Sequence, residues 1–388
     1  MTLGQNGYPY NGLTGKSGND FGEGSPFITY KSIFDNTKVD LTRCGYVMIT
    51  DKERERQTQN QVKKGDVFFT ISSETPEEVG MSSVLLDEIE DCYLNSFCFG
   101  YRLLSSSVLP EYLRFYLRSN NIRRRIFTLA QGSTRYNISK DEIMKMSIML
   151  PSLSEQEKIA SLLTLIEERI IVQNKVIEDL KKLKTAINRR ILWGNPLLSE
   201  RIPLGSLGQL KNGYAFRSAT YIPNTNYRII TIANVSGERE IDVKNCNTIP
   251  SLPEDLQPHQ LLKPNDILIS LTGNVGRVSL CCNNNNCLLN QRVGLFVPND
   301  QRLHEYLFQV LSDERFLHSM IDAGQGAAQM NIGKGDIESF LIPFVENPFI
   351  LNKIADFLSA LDLRTIMAKR ILLLLEKQKI HLMNALFI

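Results

Sequence analysis

The sequence predicts an α+β protein with two tandem-repeat domains of mixed α/β structure, joined by two long antiparallel coiled-coil helices about a pseudo-two-fold axis. Three observations predict this fold: a repeat that runs through all 388 residues, short β-rich segments early in each half, and a heptad pattern late in each half. The composition agrees, because 43% hydrophobic and 22% charged residues are the proportions of a globular protein.

The repeat consists of short motifs that return in the same order in the second half of the chain. Because chance matches would not keep their order over two half-chains, the sequence is a tandem duplication. We expect a first domain at 1–150, a first spacer helix at 151–195, a second domain at 196–348 and a second spacer helix at 349–388. The matching motifs are Leu3-Gly4 with Leu204-Gly205, Asn11-Gly12 with Asn212-Gly213, Leu94-Asn95 with Leu289-Asn290, and Asn137-Ile138 with Asn331-Ile332.

Each domain is expected to combine short strands with a late helix. The β-rich runs at 67–71 and 267–271 lie among glycine, asparagine, serine and proline residues, which favour turns. Helical stretches follow at 111–117 and 305–311. A cluster of arginines between positions 114 and 135 is equally typical of a DNA-contacting patch and of a solvated helix face whose arginines pair with acids.

The heptad pattern predicts the two long helices. The first is expected to start at Ser154, which forms a capping box with Glu157 just after Pro151, and to end near Gly194. Because a helix this long cannot bury its apolar stripe on one small domain, we expect the two helices to pair antiparallel. The expected pairing seam is Ile159, Leu163, Ile166, Ile170, Ile177, Leu180, Lys184 and Ile187 in the first helix and Ile354, Leu358, Leu361, Leu372, Leu375, Lys379 and Leu382 in the second.

Two lysines, Lys184 and Lys379, fall on the same seam position of the two helices. One interpretation is a polar layer that sets the register of the helix pair. The other interpretation, which we favour, is that the helices splay there and both ammonium groups reach solvent.

Charge and cysteine content exclude few functions. A net charge of +2, from 44 basic and 42 acidic residues, neither argues for nucleic-acid binding nor against it. The sequence has no apolar run long enough to span a bilayer. Seven cysteines, an odd number in a long chain, fit a reducing, cytoplasmic location.

The sequence carries no catalytic signature. Gly15-Lys16-Ser17 is not a phosphate-binding loop, because that motif needs a glycine where this chain has Tyr10. Cys281, Cys282 and Cys287 do not form the short-spaced ligand pairs of a structural zinc site, since the further ligands within reach in sequence are only His259 and His304. The four histidines have no serine or cysteine partner at triad spacing. We therefore expect no catalytic, cofactor-binding or metal-binding residues in this chain.

The segment that opens the first helix, P-S-L-S-E-Q-E-K-I-A at 151–160, resembles the helix-opening segment of the specificity (S) subunits of type I restriction-modification systems. The segment Q-G-S-T-R-Y-N-I-S at 131–139 and the pair Leu204-Gly205 also resemble signatures of that family, and the likeness covers both halves. The second helix departs from the pattern, because 347–355 lacks the Glu-Gln pair.

This resemblance implies a DNA-recognition subunit without chemistry of its own. Its two target recognition domains would each bind one half of an asymmetric, split site on double-stranded DNA. Its helices would set the spacing and dock methylation (M) subunits, two of them, which use S-adenosylmethionine. Restriction (R) subunits would join for translocation and cleavage that need ATP and Mg, and no membrane is implied. Two alternatives stay open: the specificity subunit of a related methyltransferase or nuclease system outside type I, and a non-catalytic coiled-coil scaffold.

Polar residues in loops at equivalent places of both domains are the candidates for DNA contact, because specificity requires side chains that reach base edges. For each of them, stabilisation of its own loop is an equally good interpretation. The candidates are Lys16, Ser17, Gln131, Ser133, Thr134, Arg135, Tyr136 and Asn137 in the first domain and Arg217, Ser218, Thr272, Asn274, Arg277, Gln325, Gln329 and Asn331 in the second.

Overall fold

The computed structural model describes residues 1–282, 286–325 and 330–387. The chain forms two compact units: unit 1 comprises Met1–Val172 and Ile371–Ile388, and unit 2 comprises Gln173–Arg370. Each long helix therefore contributes one half to each unit. The domain boundaries expected at 150, 195 and 348 stay a prediction, because these units group helix halves with globular parts and do not separate the two.

Unit 1 contains two main sheets with helices packed against them. Its strands are β1 (Gly7–Asn11), β2 (Phe21–Ile28), β3 (Gly45–Val47), β4 (Val67–Thr70), β5 (Ser72–Ser73), β6 (Ser82–Val84), β7 (Tyr93–Leu94), β8 (Cys98–Leu103) and β9 (Tyr136–Asn137). Its helices are α1 (Leu3–Asn6), α2 (Tyr30–Asp35), α3 (Asp51–Arg56), α4 (Pro110–Tyr116), α5 (Asn120–Thr128) and α6 (Lys140–Lys145), followed by the first half of α7 (Leu153–Asn188). The larger sheet is antiparallel in the order β1-β8-β4-β6, and the smaller one, β3-β2-β7, pairs β2 with β7 in parallel.

Unit 2 repeats this arrangement. Its strands are β10 (Glu200–Pro203), β11 (Gly208–Asn212), β12 (Tyr227–Ile230), β13 (Asn247–Ile249), β14 (Ile267–Ser270), β15 (Val278–Leu280), β16 (Cys287–Leu289), β17 (Val293–Pro298) and β18 (Leu341–Phe344). Its helices are α8 (His304–Leu311), α9 (Glu314–Ala323) and α10 (Lys334–Glu338), followed by the first half of α11 (Pro348–Leu386). The sheet β11-β17-β14-β15 corresponds to β1-β8-β4-β6, and β13-β12-β16 corresponds to β3-β2-β7, including its parallel pair. The predicted α+β class with two mixed α/β repeats is confirmed.

The central strand of each larger sheet is apolar on both faces. In β4, Val67 and Phe69 belong to one buried cluster, whereas Phe68 belongs to another on the opposite face, because successive side chains of a strand alternate. The same alternation divides β14 between two clusters of unit 2. Because both faces of the sheet are covered by apolar side chains, polar side chains that could contact a ligand are found in the loops at the ends of its strands.

The first long helix, α7, starts earlier than predicted, and its capping box is different. Ser152 and Glu155 form the box, so the prediction of Ser154 with Glu157 was wrong. The Glu155 N–H donates to Ser152 Oγ at 3.4 Å, and the Ser152 N–H donates to Glu155 Oε2 at 3.0 Å. The sequence contains the same serine-to-glutamate spacing twice, and the structure uses the first copy.

The buried Gln156 explains that choice, because its side chain anchors the first turn of α7 to the chain before it. Its three partners, each at 3.0 Å, are the carbonyl of Ser107, the carbonyl of Pro151 and the N–H of Leu109. In α11 the same repeat position is Leu351, which is fully buried among apolar residues. Asn347 supplies the cap there, since its Oδ1 accepts a hydrogen bond from the Phe349 N–H at 3.1 Å. The second helix is therefore capped although it lacks the Glu-Gln pair.

The halves of α7 and α11 pack side by side within each unit and run antiparallel. In unit 1, Glu167 meets Lys379, whereas Ile159, nearer the start of α7, shares a cluster with Leu382. In unit 2, Gln173 Nε2 donates to the Ala368 carbonyl at 2.9 Å, and the later Lys184 meets the earlier Asp362. The predicted seam residues are all buried or half-buried.

Both seam lysines pair with acids. This differs from the favoured expectation that their ammonium groups reach solvent. Lys379 Nζ donates to Glu167 Oε1 at 2.7 Å, and Lys184 Nζ donates to Asp362 Oδ1. Glu167 and Asp362 occupy the same repeat position, so the two ion pairs are equivalent. An arginine from the globular part of each unit joins its ion pair: Arg114 on Glu167 and Arg239 on Asp362.

The end of each long helix docks on a globular part. Phe387, just after α11, packs edge-on against Tyr112 and Tyr116 of α4, with ring centroids 5.5 and 5.9 Å apart. A π-helical turn, Arg189–Trp193, follows α7 and buries Leu192 in unit 2, at the same repeat position as Phe387. Unit 1 is therefore completed by a segment from the second half of the chain. Among the residues described, no helix is long and apolar enough to cross a membrane.

Candidate nucleic-acid interface

Three loop segments meet at one end of the larger sheet of unit 1. The first follows β4, the second is 131–140 and contains β9, and the third is the turn between β7 and β8. The Ile138 N–H donates to the Ile71 carbonyl, and the Ile71 N–H donates to the Phe97 carbonyl, both at 2.9 Å. The backbone of Ile71 therefore holds the three segments together, and polar side chains from distant parts of the sequence share one edge.

The same three segments meet in unit 2, through equivalent hydrogen bonds. The Ile332 N–H donates to the Leu271 carbonyl, and the Leu271 N–H donates to the Arg292 carbonyl, both at 2.9 Å. The backbone of Leu271 thus makes the same two hydrogen bonds as that of Ile71. We call this set of segments the loop edge of each unit.

The candidates at 131–137 form one projecting loop of the unit 1 loop edge. Gln131 and Asn137 close it, because each backbone N–H donates to the carbonyl of the other, at 2.9 and 2.8 Å. Tyr136 and Asn137 pair with Ser73 and Ser72 through β9 and β5, and Tyr136 is half-buried against the core. The exposed tip of the loop includes Ser133, Thr134 and Arg135. These three side chains are free to contact a ligand.

The segment after β14 places three candidates on the unit 2 loop edge. Thr272 pairs with Asn331, and its buried Oγ1 has no hydrogen-bond partner among the described residues. Asn274 is exposed, and its carbonyl accepts a hydrogen bond from Ser270 Oγ. Arg277 is half-buried, and its N–H donates to Ser270 Oγ at 2.9 Å. The structure therefore brings Thr272, Asn274, Arg277 and Asn331 together.

The last two candidates of unit 2 belong to the stretch before Asn331. Gln325 is exposed after α9, with its Nε2 at 3.5 Å from Asp322 Oδ1. Gln329 lies outside the described residues.

The equivalent positions 16–17 and 217–218 differ in their surroundings. Lys16 Nζ lies 2.7 Å from Glu53, and the lysine side chain is only 7% exposed. Hydrogen bonds from Lys16 and from Thr50 together lower the pKa of Glu53 to about 2. Ser17 donates to the carboxylate of Asp20 from its N–H at 2.7 Å and from its Oγ at 2.9 Å. The Lys16 side chain is thus buried against a partner, whereas Ser17, Arg217 and Ser218 are exposed.

The arginine cluster at 114–135 mostly serves the fold. Arg118 donates to the carbonyls of Ile33, Phe34, Asn36 and Ser82, and Arg123 donates to those of Glu77, Val79 and Gly80. Burial lowers the pKa of both guanidinium groups to about 10. Neither a DNA-contacting patch nor pairing with surface acids describes these two arginines, which tie helices to loops.

Sequence reasoning missed one part of the loop edge, the turn that ends at Phe97 in unit 1 and at Arg292 in unit 2. The signal was present in the repeated Leu94-Asn95 and Leu289-Asn290, which show that something at this turn is kept in both domains. Among the described residues, no group of three or more histidines, cysteines, aspartates or glutamates is placed to hold a metal ion.

The chain matches the model of a family described as type I restriction modification DNA specificity domain twice, at 11–182 and at 196–377. A protein of Methanocaldococcus jannaschii described as the MjaX type I restriction enzyme specificity subunit is 26% identical over 352 residues, which are 86% of this chain and 79% of that protein.

Two solved structures share the fold. One is the crystal structure of the type I restriction-modification system S subunit from M. genitalium, with a TM-score of 0.62 and 14% identity, covering 100% of this chain and 95% of that chain. The other comes from work on complex assembly and conformational transition of the type I system, with a TM-score of 0.60 and 14% identity, covering 100% and 96%.

Proposed function

Because the chain belongs to the family of type I restriction modification DNA specificity domains, we propose that it is the DNA-recognition subunit of a type I restriction-modification complex. Each repeat then binds one half of a split, asymmetric site on double-stranded DNA, and α7 and α11 fix the distance between the halves. The observation that carries this proposal is duplication with divergence: both units build the same loop edge from equivalent hydrogen bonds and furnish it with different side chains.

The loop edges have the chemistry that sequence recognition needs. Hydroxyl, amide and guanidinium groups such as those of Thr134, Asn274 and Arg135 can donate to or accept from base edges. Phosphate contacts supply most of the affinity of a DNA-binding protein but carry no sequence information. Since the net charge is only +2, we expect the isolated chain to bind DNA weakly and the partner subunits to supply many phosphate contacts.

Both long helices carry a second apolar stripe, one position before the seam. Several large apolar side chains exposed along one side of a helix favour association with a partner. Leu162, Val172 and Val176 of α7 stand at the same repeat positions as Phe357, Met367 and Ile371 of α11, and all six are exposed. Two equivalent stripes favour two copies of one partner, and we propose that these are the two methylation subunits.

Single charged substitutions test this docking proposal. Val172→Glu and Met367→Glu should each remove one methylation subunit from the assembly, and the double variant should remove both. Light scattering of the purified complexes measures the loss, and Glu178→Lys, an exposed residue on another face of α7, is the control. Binding of two methylation subunits to the double variant would contradict the proposal.

The chemistry is proposed to reside in the partners. Methylation subunits would transfer the methyl group of S-adenosylmethionine to adenine, and restriction subunits would use ATP and Mg, whereas this chain would hold no cofactor. Its seven cysteines all lie in described residues as free thiols, which fits the reducing cytoplasm where we propose that it acts.

An exchange of one recognition domain tests the function. In a host that carries the chain and its methylation subunits, sequencing of methylated chromosomal DNA should reveal a split motif, which disappears when the gene is deleted. Replacing 200–345 with the equivalent segment of another family member should change one half of the motif and leave the other half intact. A change in both halves would refute separate recognition by the two repeats, and a motif that survives the deletion would refute the function.

A further inference from the structure

One turn of unit 1 presents a large side chain at the loop edge without using it in the fold. Asn95 Oδ1 accepts a hydrogen bond from the Phe97 N–H at 2.8 Å, which closes an Asx turn between β7 and β8. The Phe97 carbonyl in turn accepts from Ile71 of the first loop segment. The phenyl ring, in contrast, is 57% exposed. A phenylalanine used for core packing would be buried, so the backbone of this residue serves the fold and its ring faces solvent.

The equivalent turn of unit 2 presents an arginine. Asn290 Oδ1 accepts a hydrogen bond from the Arg292 N–H at 3.1 Å, and the Arg292 carbonyl accepts from Leu271. The Arg292 side chain is exposed, and within the described residues its guanidinium group has neither a hydrogen bond nor an ion pair. Other arginines on this unit have partners, as Arg302 pairs with Asp300 at 2.7 Å.

The support beneath the two turns is the same in both units. A Cβ atom on Gly12 would lie 2.0 Å from the Asn95 carbonyl oxygen, and one on Gly213 would lie 2.2 Å from that of Asn290, so only glycine permits the close approach. The next residue fixes the turn from the same side: the Leu13 N–H donates to the Leu94 carbonyl at 2.7 Å, and the Tyr214 N–H donates to the Leu289 carbonyl at 2.8 Å.

The supporting residues are thus kept between the repeats while the presented residue differs. This is the pattern that a specificity-determining position requires in a protein whose two domains recognise different half-sites. A rigid backbone aims the side chain, and the identity of the side chain selects the base.

We propose that positions 97 and 292 are specificity-determining: Arg292 contacts a guanine in the major groove of one half-site, and Phe97 contacts a thymine methyl group in the other. Arginine is matched to guanine because its fork of N–H donors faces the O6 and N7 acceptors, and phenylalanine offers only apolar contact, which suits the thymine methyl group. The inference rests on the proposed function, since it assigns bases to a DNA-recognition subunit.

The test uses the full chain co-expressed with its methylation subunits in a host without other adenine methylation, with the host chromosome as the DNA probe. The variants are Arg292→Ala, Arg292→Lys and Phe97→Ala. The matched controls are Arg302→Ala, beyond the other end of β17, and Leu104→Ala, which is 75% exposed beyond the other end of β8. Circular dichroism checks that each variant is folded.

Arg292→Ala is expected to relax one base position of one half-motif, with discrimination for guanine there falling roughly 10- to 100-fold. Arg292→Lys should retain part of that discrimination, and Phe97→Ala should relax one position of the other half-motif. The controls should leave the motif unchanged.

Two results would overturn the proposal. Methylation that weakens uniformly with an unchanged motif would make these residues phosphate contacts, and an unchanged motif at unchanged efficiency would make them bystanders. Both results leave the proposed function standing, because the wild-type complex would still methylate a split motif. Absence of any split motif with the wild-type chain would instead refute the function itself.

Discussion

At the scale of single residues, charge on the seam selects how the two long helices pair. In a parallel pairing in register, Lys184 would face Lys379 and Glu167 would face Asp362, so like charges would meet. The antiparallel arrangement instead gives each lysine an acid from the other helix. The polar layer considered from the sequence therefore includes acids that directly follow seam residues.

Removal of one such acid should be expensive for stability. Asp362 accepts hydrogen bonds from Lys184, from Arg239 at 3.2 Å and from Gln309 at 2.8 Å, and its side chain is 11% exposed. Asp362→Ala should lower the free energy of unfolding in urea by about 3 kcal/mol, because it leaves Lys184 half-buried without a counter-charge. The control Glu178→Ala removes only a solvent-exposed pair with Lys182 and should leave the urea midpoint unchanged. An equal response of both variants would show that the buried pair does not stabilise the helix pairing.

The sequence could not predict which polar residues are free and which serve the fold. Lys16 and Arg217 are equivalent in the repeat, but Lys16 forms an ion pair with Glu53. That glutamate is remote in sequence and comes near only through folding. The exposure of Phe97 was equally hidden, because an aromatic residue before a strand is more often part of a core. Such distinctions depend on contacts between distant segments, and periodicity does not encode them.

At the scale of elements, the heptad pattern located both long helices because many turns repeat the same signal. The alternation of apolar and polar residues that reveals strands did not locate the shortest ones. The strands β5, β7 and β9 have two residues each, which is too few for alternation to appear. The predicted start of α7 was wrong because the sequence offers two overlapping serine-to-glutamate spacings, and we chose the second. The tertiary contacts of Gln156 decide for the first.

Lengthening both helices should lengthen the gap in the recognised DNA. Gln173 and Ala368 face each other, so one heptad inserted after each extends the pair at the same level and keeps the seam in phase. At about 1.5 Å per residue the helices gain roughly 10 Å, or about three base pairs. Methylation mapping should show both half-motifs unchanged and farther apart, whereas a heptad inserted in α7 alone should abolish methylation. Two unchanged half-motifs with the original gap would refute the helices as the spacer.

At the scale of the whole molecule, the duplication predicts that one repeat can pair with itself. Residues 1–195 hold one globular part and all of α7. Without α11 the seam of α7 is exposed, and α7 of a second copy would pack there in place of α11. Glu167 would then meet Lys184 of the other copy, and Gln173 would meet its own symmetry mate, with packing looser by about 1–3 kcal/mol. Light scattering should show a dimer, and with methylation subunits it should modify a palindrome of one half-site. A stable monomer, or a methylation map that keeps the asymmetric motif, would contradict this.

The docking of Phe387 on α4 has a consequence for how the protein is made. Ribosomes deliver a chain from its amino end, and domains generally fold as they emerge. Unit 1 is an exception, because its closing segment, 371–387, is translated only after all of unit 2. Until then Tyr112 and Tyr116 lack the ring that packs against them, and an exposed apolar surface on a partly made chain favours aggregation. A premature stop codon within α11 would therefore damage the part of the protein that was synthesised first.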